Sequence, residues 1–211
     1  MKPAVFLFPL LILCSGRLLA APGDFEAGVR VFFEADMTKA LTAWDRQVAD
    51  APDEKPQHWQ RGLALYYAGK YQEGREQFEA HQKVNPQDVE NAAWHFLCVA
   101  RLENPGAARK VFIPIIADPR VPMKEIHALF AGKGTEAAVL KAADAATDPG
   151  NLRNQRCYAH LYLGLYHEAL SDATIANEHL IKAAGEFKMN HYMGRVAQVH
   201  VKLRGWAGGK Q

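Results

Sequence analysis

Residues 55–88 read KPQHWQRGLALYYAGKYQEGREQFEAHQKVNPQD, and this stretch decides the fold. Gln57–Tyr67 is an apolar-rich run of helical length with Gly62 near its centre. Gly69-Lys70 reads as a turn. Gln72–Val84 then places small Gly74 and large Phe78 one helical turn apart on one face. Pro86 stops that helix. Gly62 marks the point where a paired helix crosses too closely for a side chain. Two helices packed side by side are expected, and neither buries its apolar face alone.

Working outward, the pattern recurs at a spacing of 34 residues. Gly28 stands before Gly62, Ala35 before Gly69, Met37 before Tyr71, Ala40 before Gly74, Trp44 before Phe78 and Pro52 before Pro86. Ala108 and Phe112 follow Gly74 and Phe78. The registers are 21–54, 55–88 and 89–122. The third is degenerate: Phe96 replaces the crossing glycine, and Asn104-Pro105-Gly106 is expected to make the turn. A short pair follows within 123–150, Lys124–Phe130 and Thr135–Ala146, joined by Ala131-Gly132-Lys133-Gly134. A better unit spans 157–190. It has Leu163-Gly164 at the crossing, Ser171-Asp172 as turn and cap, and Ala176, Leu180 and Ala183 on its inner face. A closing helix lies within 187–203, where Tyr192, Val196, Val199 and Leu203 form one stripe expected to face the last repeat. Gly205–Gln211 reads as a tail. The expectation is an all-α fold: a right-handed superhelix (solenoid) of about five helix pairs plus a closing helix.

Composition sets the class. The chain has 211 residues, 49% hydrophobic and 23% charged, which is a folded rather than a disordered balance. Three cysteines are too few for a disulfide-stapled framework. Residues 1–20 read as a signal peptide: Lys2 opens it, Ala4–Leu13 is an apolar stretch too short to span a bilayer, and Ala20 offers a cleavage point. Residues 21–211 are then the mature helical domain, exported and periplasmic. Leu13 is large for the position before a lipidated cysteine, so membrane attachment is expected only if Cys14 is lipidated. Two of the 25 basic residues, Lys2 and Arg17, fall in the leader, and the remaining 23 balance 23 acidic ones. A formal charge of zero with no basic block argues against nucleic acid or an anionic membrane as main partner.

The pattern resembles the tetratricopeptide repeat through Gly62, Gly69, Tyr71, Phe78 and Pro86, and that resemblance implies a groove lined by the first helices. Its expected binding residues are Phe32, Trp59, Leu63, Tyr66, Glu90, Arg101 and Tyr158, since aromatics and arginine dominate protein interfaces. Leu63, like Leu97 and Leu165, also reads as plain core, and Trp59 reads either as a groove residue or as a wedge between repeats. Of the nine histidines, His160 and His167 share one helix but lie too far apart to hold one ion. No His-x-x-x-His pair exists, which leaves open only a zinc site built across helices. Cys98 and Cys157 are expected as two separate thiols, Cys98 buried. Gly132-Lys133-Gly134-Thr135 lacks the order of a phosphate loop and reads as a helix–helix turn. No catalytic residue, metal or cofactor is expected.

The matches Gly62, Gly69, Tyr71, Phe78 and Pro86 resemble the tetratricopeptide repeat (TPR). The order of units resembles more closely the NlpI-type TPR lipoproteins of the bacterial envelope. The run Arg61–Gly69 leads to Asn85-Pro86-Gln87-Asp88, then to the unit with Trp94. The short pair at Phe130-Ala131-Gly132-Lys133, Ala142–Asp148, and Tyr162-Leu163-Gly164 with the Asp172 turn complete it. The resemblance covers nearly the whole mature chain. It implies a non-catalytic adaptor that binds periplasmic proteases or cell-wall hydrolases and brings them together. The alternative is a chaperone or assembly factor for an outer-membrane, secretion or pilus complex. The family's extra N-terminal helices and first repeat have no counterpart here, so its dimerisation is not implied.

Overall fold

Gly28, Gly62 and Gly164 each sit where a second helix presses against the first, and the pressing side chain stands sixteen residues on. A Cβ on Gly62 would lie 2.6 Å from the Phe78 ring, and one on Gly164 would lie 2.5 Å from Leu180. On Gly28 it would run into the Trp44 indole. These close approaches build three helix pairs in the computed structural model, which describes residues 23–206. The signal-peptide reading of residues 1–20, Cys14 with it, lies outside the described residues, as does the tail from 207 on.

Among the described residues the chain is all-α. The pairs are α1 (Gly23–Phe33) with α2 (Met37–Asp50), α3 (Trp59–Tyr67) with α4 (Tyr71–His81), and α5 (Val89–Leu102) with α6 (Pro105–Lys110). Then come α7 (Met123–Phe130) with α8 (Glu136–Ala143), α9 (Pro149–Ala169) with α10 (Ala173–Ala184), and the single α11 (Tyr192–Leu203). Side-chain caps fix the starts. Asp36, Asn104, Thr135, Asp148 and Asp172 each accept a hydrogen bond from the backbone N–H three residues on. Pro105 and Pro149 occupy first-turn positions, where a missing N–H costs nothing. No described helix is long and apolar enough to cross a membrane.

Several expectations shift. Asn104-Pro105-Gly106 does not make a turn but caps and opens α6, which ends at Lys110. Residues 111–122 then run without a helix. The helix expected from 157 begins at Pro149, because Asp148-Pro149 is itself a helix start. Gly132–Thr135 does form a turn into α8. Cys98 and Cys157 are both buried free thiols. Burial pushes Cys157 up to about 11 and Cys98 further, so neither is reactive at neutral pH.

The core is continuous from Phe32 and Trp44 through Tyr66, Phe78, Trp94 and Phe96 to Phe130, Tyr162 and Leu180, all essentially inaccessible to solvent. The closing helix does more than face α10. Its Tyr192 meets Phe33 at 4.7 Å, Trp59 at 4.8 Å and Phe32 at 6.1 Å between ring centroids. The Tyr67 hydroxyl and His200 Nδ1 are 3.2 Å apart, and Lys202 donates to the Glu34 carbonyl at 2.9 Å. Arg195 lies 3.5 Å over the Phe33 ring. The last helix thus ties the first pair to the last.

A candidate binding pocket beside the closing helix

The N-terminal end of α5 carries Asp88, Glu90, Asn91 and Trp94 within two turns, so their side chains fan over one short stretch of helix. Trp59 opens α3, Phe78 and His81 end α4, and His191, Tyr192 and Met193 open α11. Together with Arg120 they enclose a cavity of about 200 Å³.

Its polar end is an ion cluster. Arg120 Nη2 donates to Asp88 Oδ1 and Asp118 Oδ2, both at 2.6 Å, Nε donates to Asp118 Oδ1 at 2.9 Å, and Nη1 donates to Glu90 Oε1. The other oxygen of Glu90 accepts from the Tyr162 hydroxyl at 2.8 Å. Burial pushes the Glu90 carboxyl up to about 7, against the pull of Arg120. Burial also opposes the charge on Asp118, but hydrogen bonds from Arg120 and the Val89 N–H outweigh it and hold that carboxyl below its ordinary value. The two partners of the Glu90–Arg120 contact shift in opposite senses for pairing: Arg120 is held more firmly cationic, Glu90 less firmly anionic. Arg120 has two further carboxylates to hold its charge, whereas Glu90 must overcome nearly complete burial. Three carboxyls against one guanidinium leave this end net negative.

The rest of the lining is mostly aromatic, and three of its residues carry buried polar atoms without a protein partner. Asn91 Oδ1, Trp94 Nε1 and the Tyr192 hydroxyl are buried and have no protein hydrogen-bond partner. The Asn91 amide nitrogen is spent on the Phe78 carbonyl at 3.1 Å and on Gln82 Oε1 at 2.9 Å, so its oxygen is the free end. Buried polar groups are normally satisfied. These atoms lie sealed just behind the lining, so a ligand's amide would match them only after the Asn91, Trp94 or Tyr192 side chain turns.

The expected groove residues divide. Trp59 and Glu90 line the cavity, and Tyr158 stands beside it with its hydroxyl 3.2 Å from His191 Nδ1. Phe32, Leu63 and Tyr66 do not face a groove. They are 0%, 0% and 2% exposed, packed among Trp44, Trp94 and the closing helix, so they are corrected from binding to core positions. Arg101 lies eleven residues beyond Glu90 on α5, roughly 16 Å along the axis, and cannot share a site with it. It is exposed and donates to the Tyr71 hydroxyl at 3.3 Å. Asn91, Trp94, Arg120 and Tyr192 went unread as site residues. Trp94 and Tyr192 carried a signal, as large aromatics with a polar handle. Arg120 carried none, because it reaches Asp88 and Glu90 from a segment without helical periodicity.

No protein-family model matches the chain, and no curated protein matches it in sequence.

Proposed function

We propose that the protein is a non-catalytic adaptor of the tetratricopeptide-repeat type, working in the bacterial cell envelope and binding other proteins through the pocket beside α11. The observation that carries this reading is an aromatic cavity with a net negative end, behind whose lining Asn91, Trp94 and Tyr192 hold unpartnered polar atoms. A partner segment would lay an apolar or long-stemmed side chain against Trp59 and Tyr192. With a small turn of these side chains its amide would satisfy the indole N–H and the Asn91 oxygen, and a basic group would meet the net negative Asp88–Glu90–Asp118 end. The repeat reading draws support from the recurrent crossings at Gly28, Gly62 and Gly164. A binding rather than catalytic role for Glu90 draws support from its geometry, since both its oxygens already hold a partner. The envelope location and the partner class, proteases or cell-wall hydrolases, rest on the leader-like residues 1–20 and on the family resemblance.

Affinity capture from an envelope fraction tests it. The parent chain should retain a protease or hydrolase, Trp59→Ala should weaken that binding by about 2 kcal/mol or roughly thirtyfold, and Tyr192→Phe should weaken it without loss of stability. Removing an unpartnered buried hydroxyl costs the fold nothing. Binding that is indifferent to both substitutions would move Trp59 to the core and end the pocket reading. Recovery of a secretion or outer-membrane assembly component instead would favour a chaperone.

A further inference from the structure

A second cluster lies away from the pocket, where α8, α9 and α10 meet. Glu136 is the first residue of α8, held there by the Thr135 cap. His167 comes from the last turn of α9 and His179 from the middle of α10. Glu136 Oε2 is 2.9 Å from His167 Nε2, and Oε1 is 3.0 Å from His179 Nε2. One ligand atom from each of the three residues lies within 4.8 Å of the other two. Behind His179, its Nδ1 meets His160 Nδ1 at 2.7 Å.

We propose that Glu136, His167 and His179 form a three-ligand site for a first-row divalent cation, Zn2+ foremost, with His160 positioning His179. Two imidazoles and a carboxylate are a donor set that such ions take, and three protein ligands leave one position for water. Bonds of about 2.0–2.1 Å set the edge of a tetrahedron near roughly 3.4 Å. Each carboxylate oxygen stands near that distance from one imidazole, Oε2 from His167 and Oε1 from His179, so an ion held by one oxygen would enter by drawing the two imidazoles together and turning the carboxylate. The His167 and His179 rings are parallel within 6°. Seating the ion on both lone pairs therefore turns at least one ring about χ2, the soft torsion of histidine.

The surroundings fit this use. The short Nδ1–Nδ1 contact needs one proton between two rings. With an ion on His179 Nε2 that proton sits on His179 Nδ1 and is donated to His160, the usual way a ligating histidine is fixed. His160 is itself held by stacking on Phe187 at 5.1 Å and 17°. Burial, with His179 and Lys182 nearby, lowers His160 to about 4, so it remains a neutral acceptor at neutral pH. Burial likewise lowers His179 from its ordinary value. Burial opposes the charge on Glu136, but the two histidines outweigh it and hold the carboxyl below its ordinary value. Lys182 and Asp144 are the charged neighbours on the adjoining elements, one of each sign. The ion would bind the short α7–α8 pair to the long α9–α10 pair. This inference is independent of the pocket.

Calorimetric titration of the chelator-treated, tag-free full chain with Zn2+ alone tests it. The expected result is one equivalent with a Kd of about 10 µM or tighter. Glu136→Gln, His167→Ala and His179→Ala should each weaken binding at least about tenfold. His160→Gln should weaken it by roughly 10–100-fold while the visible spectrum of the Co2+ form keeps its shape, which marks a positioning residue. Glu136→Gln keeps size and hydrogen bonding at a helix start, so it decides the matter if a histidine variant loses its helical signal. No saturable single equivalent of Zn2+ or Co2+ below about 100 µM would overturn the proposal. So would a Glu136→Gln protein that binds within about threefold of the parent.

Discussion

The α3–α4 and α5–α6 pairs occupy the same register 34 residues apart, yet they close differently. In the first, Gly62 lets Phe78 lie against the backbone of its partner helix, and α4 continues for eleven residues. In the second, Phe96 stands where Gly62 would, and its ring meets Phe112 edge-on at 5.8 Å. The bulk that Gly62 omits is now present. Ring packs on ring instead of ring on backbone, and α6 stops after six residues. The chain released from the helix folds back. The Gln87 side chain accepts from the Ile116 and Ala117 N–H groups at 2.9 Å each, and Asp118 accepts from the Val89 N–H at 3.2 Å. That return brings Arg120 to Asp88 and Glu90. A departure from the repeat pattern therefore builds the polar end of the pocket.

Swapping the crossing residues is the strongest way to break the comparison. Phe96→Gly does not restore a regular pair. It empties a site walled by Phe112 and by Phe130 at 5.1 Å, and it puts glycine inside a helix. The expected loss is about 4–6 kcal/mol, the cavity cost of a buried phenylalanine plus about 1 for the glycine. The converse, Gly62→Leu, drives a side chain into Phe78 and should cost about 2–4 kcal/mol. Both are read from thermal or urea unfolding. A Phe96→Gly protein as stable as its parent would show that the two pairs do not differ as described.

The comparison also explains what could be read beforehand. Gly28, Gly62 and Gly164 with Trp44, Phe78 and Leu180 were legible because one local spacing serves both sterics and burial. The site was not. His179 and Glu136 meet across 43 residues, Arg120 and Glu90 across 30, and Tyr192 meets Phe32 from the opposite end of the chain. No periodicity encodes such meetings, which follow from how complete pairs stack. The missed start of α9 is different. Asp148-Pro149 is a local signal, overridden by extending the 34-residue frame.

Glu90 sharpens the contrast through pH. Its folded value of about 7 lies above the ordinary carboxyl value of 4.5, so the folded state holds the extra proton. The contribution is fully present below about pH 4.5 and is lost as pH rises through 7, on the order of 3 kcal/mol across the window. His200 opposes it: burial lowers that group to about 3, so its contribution is present above pH 6.5 and fades below. His160, lowered to about 4, acts in the same sense as His200, so the net curve mixes all three and Glu90→Gln isolates the Glu90 part. The stability of the parent minus that of Glu90→Gln should fall steadily from pH 5 to pH 7.5. A flat difference would mean that Arg120 and Tyr162 keep Glu90 ionised throughout.

The smallest effects lie in the turns, where the two pairs part again. Positions 35, 69 and 171 share the repeat register, and Ala35, Gly69 and Ser171 all adopt positive φ, at 65°, 76° and 65°. The same position in the degenerate unit is Glu103, whose φ is −124°. A left-handed conformation crowds the Cβ of an L-residue against its own carbonyl, and glycine escapes that crowding. Ala35→Gly and Ser171→Gly should therefore stabilise the chain by about 0.5–1 kcal/mol, less whatever the freer unfolded chain takes back. Gly69→Ala should lose about as much, from backbone strain alone, because nothing lies within 4 Å of the added carbon. Glu103→Gly meets no such strain and should give no gain, only the entropy cost of glycine. Chemical denaturation of the four variants resolves these signs. A gain at Glu103 equal to that at Ala35 would mean that the degenerate unit keeps the regular turn in solution, and its altered closure would then begin after the turn, at Phe112.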